Sequence, residues 1–345
     1  MSQSKNQSEQ SWPVFSKEFV SVLENLSADA VLNKIPSREH LLAILDPQKI
    51  PLLPLLEATR RVREHFCGKD VRVQILNNLQ NGQCTEDCNY CAQSTSSCAD
   101  IKTYPMKPDD EIFAGAQRCA ESGGNRYCMV LSGRAPTAER IQHLASLVSE
   151  IKKRHNIEVC VSAGFIDAEQ ARVLKNAGLD RYNHNLNTSS QYYDKICSSH
   201  SHADRMACLE AAKSVGLDLC SGLIVGMGES LDDIVSVAIA LRRLNVKSVP
   251  VNFYMHIPGS RLGEVGQLTP EYCLRVLCLF RFVHPDAEVR AAGGREINLR
   301  SLQPLALYAV NSLFCEGYLN SSGQALENTK AMICDAGYVI GQVEE

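Results

Sequence analysis

Eight short apolar runs recur along this chain, most of them followed by a stretch of helical spacing, and that alternation limits the fold more than any other feature. The runs are VRVQILNN (71–78), RYCMVLSG (126–133), EVCVSAG (158–164), RYNHNL (181–186), LDLCSGLIVG (217–226), SVPVNFYM (248–255), EVRAAGG (288–294) and NSLFCEGYL (311–319). Helical stretches between them include 110–121, 138–154, 168–177, 231–244 and 271–282. Strands joined through helices run parallel, because the crossover returns the chain to the edge it left. Eight such units close a ring, so the expected fold is α/β, a TIM-type (β/α)8 barrel. A doubly wound open sheet is the alternative.

Upstream of the first strand the pattern changes. Residues 1–48 read as an N-terminal extension, partly disordered at first and then helical over 15–26 and from Ser37, a candidate N-cap, through Leu45. Residues 49–345 read as the barrel domain, entered through an amphipathic helix at 52–66.

The strand faces separate by chemistry. Val159 and Val161 share one face, Cys160 and Ser162 the other; Val289 opposes Arg290; Asn183, Asn185 and Asn187 fall together. In a barrel one face meets the helices and the other the interior. The apolar set fits the helix layer, which leaves a polar interior where branched side chains are usual. Buried polar groups cost free energy unless they are satisfied, so such an interior points to bound ligands or cofactors.

Charge excludes some partners. The chain has 35 basic and 39 acidic residues and no basic run, so it has no electrostatic footprint for nucleic acid. No apolar stretch is long enough to span a membrane. The first residues, MSQSKNQSEQSW, carry no export pattern, so the expected location is cytoplasmic and the 15 cysteines are expected as thiols.

Three of those cysteines carry the chemistry. Cys84, Cys88 and Cys91 lie in GQCTEDCNYCAQS, a C-x3-C-x2-C spacing on the loop after the first strand. Zinc sites use four ligands, commonly in paired C-x2-C hooks. Three thiols on one loop suit a cubane iron–sulfur cluster with one open iron, and Cys98 as a fourth thiolate keeps a zinc-binding module as a rival. The histidines of SSHSHAD, His200 and His202, read as a solvated loop, and His184 as a local packing residue. The remaining cysteines, Cys197 among them, default to structural roles.

The motif resembles that of the radical S-adenosylmethionine superfamily, in which three thiolates hold a [4Fe-4S] cluster whose open iron is chelated by S-adenosylmethionine. Cys128, Cys160, Cys220, Arg290 and YNHNLNTS (182–189) extend the resemblance to the biotin synthase family over about 50–337. It implies a second, [2Fe-2S] cluster on Cys128, Cys160, Cys220 and Arg290. It implies S-adenosylmethionine contacts at Tyr90, Asn183, Asn187 and Gly226, and contacts to the ureido ring of dethiobiotin at Asn185 and Asn252. Sulfur would be inserted at unactivated carbons by way of a 5′-deoxyadenosyl radical, with flavodoxin or ferredoxin as electron donor and a homodimer as the assembly. Two positions depart from the family: Asn187 stands where some members carry aspartate, and PGSRL (258–262) replaces the usual PGTPL. The competing readings are another radical enzyme on this barrel, a maturase or mutase, and an iron–sulfur electron carrier without catalysis.

Overall fold

A computed structural model describes residues 17–341 apart from residue 267. The segment expected to be disordered, 1–16, lies outside the described residues. In chain order the elements are α1 (Lys17–Val31), α2 (Arg38–Leu45), α3 (Leu52–Cys67), β1 (Asp70–Gln80), α4 (Asp109–Glu121), β2 (Arg126–Leu131), α5 (Ala138–Arg154), β3 (Glu158–Ser162), α6 (Ala168–Asn176), β4 (Arg181–Asn183) and α7 (His202–Ser214). There follow β5 (Asp218–Cys220), β6 (Leu223–Val225), α8 (Leu231–Arg243), β7 (Ser248–Phe253), α9 (Pro270–Val283), β8 (Glu288–Ala291), α10 (Arg295–Leu299), α11 (Gln303–Ala306), β9 (Ser312–Cys315), α12 (Leu326–Asp335) and β10 (Val339–Ile340).

All strand pairings are parallel, and β1 pairs with both β2 and β9, which closes the sheet and removes the open-sheet alternative. Strands β5 and β6 form one stave interrupted at Ser221 and Gly222, and both pair with β7. Each of the eight runs therefore supplies one stave. β10 adds outside the ring, against the start of β1.

Helix starts follow from side-chain oxygens that accept the first free N–H groups. Ser37 accepts from the His40 amide at 3.2 Å, as its sequence position foretold. Asp167 with Gln170, Ser201 with Asp204, and Ser230 with Asp233 form reciprocal capping boxes. The Ser201 box corrects the solvated-loop reading of SSHSHAD: His202 opens α7, and His200 is buried. Helical spacing is faint in α7, so the run of small and polar residues before it reads as loop.

The extension helices are packed onto the body. Leu26 of α1 and Leu41 and Ile44 of α2 belong to the same apolar core as Leu274 and Leu277 of α9. Arg275 on α9 is buried and donates to the carbonyls of Ile44 at 3.0 Å and Ile50 at 2.7 Å, which satisfies the chain where it leaves α2.

The break at Gly222 has a steric cause. A Cβ there would lie 1.8 Å from the Pro250 carbonyl oxygen on β7, a backbone atom that cannot step aside. Gly222→Ala is expected to cost about 3 kcal/mol or more. Gly216→Ala, where a Cβ meets open space, tests only the positive φ and should cost less. Urea midpoints of the two variants check the difference.

Candidate active site

The inward side chains stack in layers, because alternate residues of each strand point the same way. The lowest layer is ionic. Arg126 on β2 donates to Glu158 on β3 and, at 2.7 Å, to Glu288 on β8. Glu288 also accepts from Arg290 at 2.6 Å and from the Ser248 hydroxyl at 3.0 Å. Burial alone would raise the Glu288 pKa, but Arg126 and Arg290 reverse this and hold it well below the usual carboxylate range. Burial likewise opposes ionisation of Glu158, which Arg126 and Arg181 bring down to about 2.

One step up each strand are the cysteines. Cys128 and Cys160 are register partners on β2 and β3, and both pack with Cys220 of β5 in one buried cluster. Arg290 joins them, with Nη1 4.0 Å from the Cys220 sulfur and its guanidinium 4.7 Å above the Phe314 ring. Asn183 donates to the Cys220 sulfur at 3.2 Å. The Cys160 thiol is pushed up by its contacts with Cys128 and Cys220. Cys220 is pushed down by the Cys160 thiol and, after burial opposes this, by Arg290. Of this pair, Cys220 is thus the first to become a thiolate. Three touching thiols beside a buried cation make a donor set for an anionic iron–sulfur group.

Above this layer lies a cavity of about 300 Å³, open at one end. Cys84, Cys88, Cys91 and Tyr90 line it, together with Cys128, Cys160, Cys220, Asn183, Asn185, Asn187, Asn252 and Arg290. Every cysteine the motif singles out therefore faces one space. Loop geometry explains why. The cysteine loop is tied to PGSRL by Leu262 N–H to Asn89 O (2.9 Å) and by Cys98 N–H to Gly259 O (2.8 Å). Cys98 itself is exposed and does not line the cavity, so it has no place as a fourth ligand.

The asparagines differ in what they keep free. Asn187, in the left-handed region at φ 68°, donates to the Tyr90 hydroxyl. Asn185 accepts from Gly222 N–H at 3.0 Å through Oδ1. Asn252 spans the strands, donating to Leu223 O at 3.0 Å and accepting from Gly293 N–H at 3.0 Å, so it retains one donor and one acceptor site. Gly226 does not line the cavity; its N–H donates to Glu229 at 2.7 Å, and a Cβ there would meet Leu268. His184 is buried, 4.8 Å from the Phe165 ring, and also lines the cavity.

Sequence reasoning missed two features besides the ionic floor. Arg205 on α7 is buried at the cavity wall, donating to Asn185 O at 2.9 Å and to the phenol of Tyr193. Its charge acts on both Cys88 and Tyr90. Reading its segment as solvated loop hid it. The second is a cluster behind the cysteine loop: among the described residues, Cys88, Cys197 and His200 place their ligand atoms within 4.8 Å of one another. The ionic floor, by contrast, was available to a period-2 reading, since Arg126, Glu158 and Glu288 each stand two residues before an assigned position.

Residues 81–241 match the radical SAM superfamily, and residues 250–339 match the Biotin and Thiamin Synthesis associated domain. A biotin synthase of Magnetococcus marinus is 56% identical over 316 residues, covering 92% of this chain and 98% of the relative. The chain belongs to the biotin synthase family. A biotin synthase of Acaryochloris marina is 51% identical, over 87% of this chain and 86% of its own length. Among solved structures, a methylornithine synthase superposes with a TM-score of 0.77 at 17% identity, over 92% of this chain and 97% of that one. An FeFe-hydrogenase maturase of Carboxydothermus hydrogenoformans superposes with a TM-score of 0.76 at 16% identity, over 93% and 80%. These two share the barrel; the family rests on the biotin synthases.

Glu158 gives the floor a pH signature. Its folded pKa lies below the unfolded value, so its stabilising effect is complete above about pH 5 and is lost as pH falls toward about 2. Glu158→Gln is expected to flatten stability against pH between about 5 and 3, read from urea midpoints at each pH. Arg126→Met, which leaves Glu288 and Glu158 without their shared cation, is expected to cost about 3–5 kcal/mol at neutral pH.

Proposed function

We propose that Cys84, Cys88 and Cys91 hold a [4Fe-4S] cluster, that Cys128, Cys160, Cys220 and Arg290 hold a [2Fe-2S] cluster, and that both serve one cavity. The activity is that of the family: biotin synthase, a radical S-adenosylmethionine sulfurtransferase that converts dethiobiotin to biotin. When bound, the clusters and S-adenosylmethionine supply the hydrogen-abstracting 5′-deoxyadenosyl radical and the sulfur, which side chains cannot provide.

The observation that carries this reading is the stacking of two cysteine sets, loop and strand, on the same cavity. The chain's own residues then do the positioning. Arg205, beside Cys88 and Tyr90, offers a buried positive charge to the carboxylate of S-adenosylmethionine. Tyr90 stays a neutral phenol because burial raises its pKa, and Asn187 fixes it by donating to its oxygen. Asn187 thereby fills the place of the family's aspartate without adding charge. Asn185 and Asn252 offer the donor and acceptor sites that a neutral urea requires. The ionic floor and the Cys128–Cys160–Cys220 layer close the lower end, so ligands enter from the loop side and water is excluded from below. Asn183, already bonded to Cys220, contributes its carbonyl oxygen to the cavity rather than its amide protons. A flavodoxin or ferredoxin donor, a homodimer and a cytoplasmic location complete the proposal; no described helix is long and apolar enough to cross a membrane.

Anaerobic reconstitution with iron and sulfide tests the assignment. Cys91→Ala is expected to abolish 5′-deoxyadenosine formation. Cys220→Ala is expected to keep the first cluster's absorbance and 5′-deoxyadenosine formation while losing biotin. Equal loss of both products in Cys220→Ala would refute separate roles for the two cysteine sets.

A further inference from the structure

Among the described residues, Cys197 is the one cysteine outside both sets with a sulfur–sulfur contact to either: its Sγ is 3.7 Å from that of Cys88. Both residues are buried, and the pair is held from each side of Cys88. On one side, Asp87 accepts from the backbone N–H groups of Ser198 (3.0 Å) and Ser199 (2.9 Å). On the other, the Asn89 N–H donates to Ile196 O at 2.9 Å, and its side-chain amide donates to Lys195 O at 2.8 Å. The two segments are therefore laced together along their length, and the sulfurs face each other because the backbones do. A metal ion is the alternative use of this cluster, with His200 as third ligand. The ring is already engaged: Nε2 lies 2.9 Å from an Arg205 donor, and Nδ1 contacts Glu86. A cation there would face the guanidinium.

We propose that Cys88 and Cys197 form a reversible disulfide when the loop carries no cluster, withdrawing Cys88 from iron and shielding its sulfur from further oxidation. Cys88 lines the cavity, which gives a low-molecular-weight disulfide its route to the sulfur. Its thiolate attacks one sulfur of that reagent, forming a mixed disulfide and releasing one thiol. Cys197 then attacks the Cys88 sulfur, closing the protein disulfide and releasing the second thiol. Two protein thiols are oxidised and one reagent disulfide is reduced. The two sulfurs must approach by roughly 1.7 Å to reach bonding distance. The consequence for iron rests on Cys88 as a cluster ligand; the disulfide itself does not.

The test treats the full-length chain, freed of iron by a chelator, with oxidised glutathione. The expected result is loss of about two titratable thiols per chain. Tryptic peptides 73–102 and 196–205 should appear linked, in wild type and in Cys91→Ser but not in Cys88→Ser. Cluster uptake, followed by visible absorbance, should be blocked until dithiothreitol is added. Cys197→Ser should instead retain a glutathione adduct on Cys88 and form no linked pair. A stable adduct on Cys88 in the wild type, or a link from Cys88 to Cys84 or Cys91, would overturn the disulfide. A linked pair that leaves cluster uptake unimpaired would overturn its effect on iron and with it the role of Cys88 as a ligand.

Discussion

Glu288 sits where everything else in the barrel must agree with it. It is nearly fully buried, and its two oxygens are shared between Arg126, Arg290, Gln74 and Ser248, drawn from β1, β2, β7 and β8. A buried carboxylate of this kind is tolerable only when every lone pair is answered. The answering groups come from strands on opposite sides of the ring, so the barrel has to close before the charge is satisfied. The same carboxylate fixes Arg290. Together with Ser248 and Ser312 it sets the guanidinium so that one nitrogen faces the acid and another faces the Cys220 sulfur. The ion-pair floor is thus both a closing device and the base on which the cysteine layer stands.

That layer sits at the boundary between two chemistries. Below it are fixed charges held in ion pairs. Above it is a cavity whose walls keep amide and phenol groups only partly engaged. Placing thiols between the two means that the anionic sulfur group proposed for this layer would meet a cation from below and a substrate from above. Asn183 and Asn185 continue the same inward face, and Gly222, which gives its N–H to Asn185, lets the β5–β6 stave pass Pro250 closely enough to complete the wall.

Much of this was legible because a parallel barrel turns sequence alternation into layers. Val159 against Cys160 and Val289 against Arg290 told inside from outside, and the eight runs located the staves. The same alternation two residues earlier carried Arg126, Glu158 and Glu288, whose roles depend on pairing across the ring and so have no local signature. Arg205 and His200 were hidden for another reason. Their segment is rich in serine and histidine, which in isolation describes solvent-facing chain, and only the capping box at Ser201 turns it back toward the core. Gly226 shows the reverse: the resemblance implies a contact to S-adenosylmethionine there, while its local demand in the fold is clearance from Leu268 and a bond to Glu229.

The segment that escaped sequence reasoning is also the one that controls the cysteine loop. Loop cysteines that bind a removable group need freedom to change rotamer yet cannot wander, since an ordered site is worth far more than a tethered one. Here PGSRL holds one flank through Asn89 and Cys98, and residues 195–200 hold the other through Glu86, Asp87 and Asn89. What remains adjustable is the set of thiols. Cys84, Cys88 and Cys91 all line the cavity and the Cys88 sulfur also meets that of Cys197, so the loop backbone is held on both flanks while its thiols keep a choice of partner. The departures from the family pattern, Ser260 and Arg261, therefore fall between the two backbone contacts that support the loop, which Gly259 and Leu262 supply.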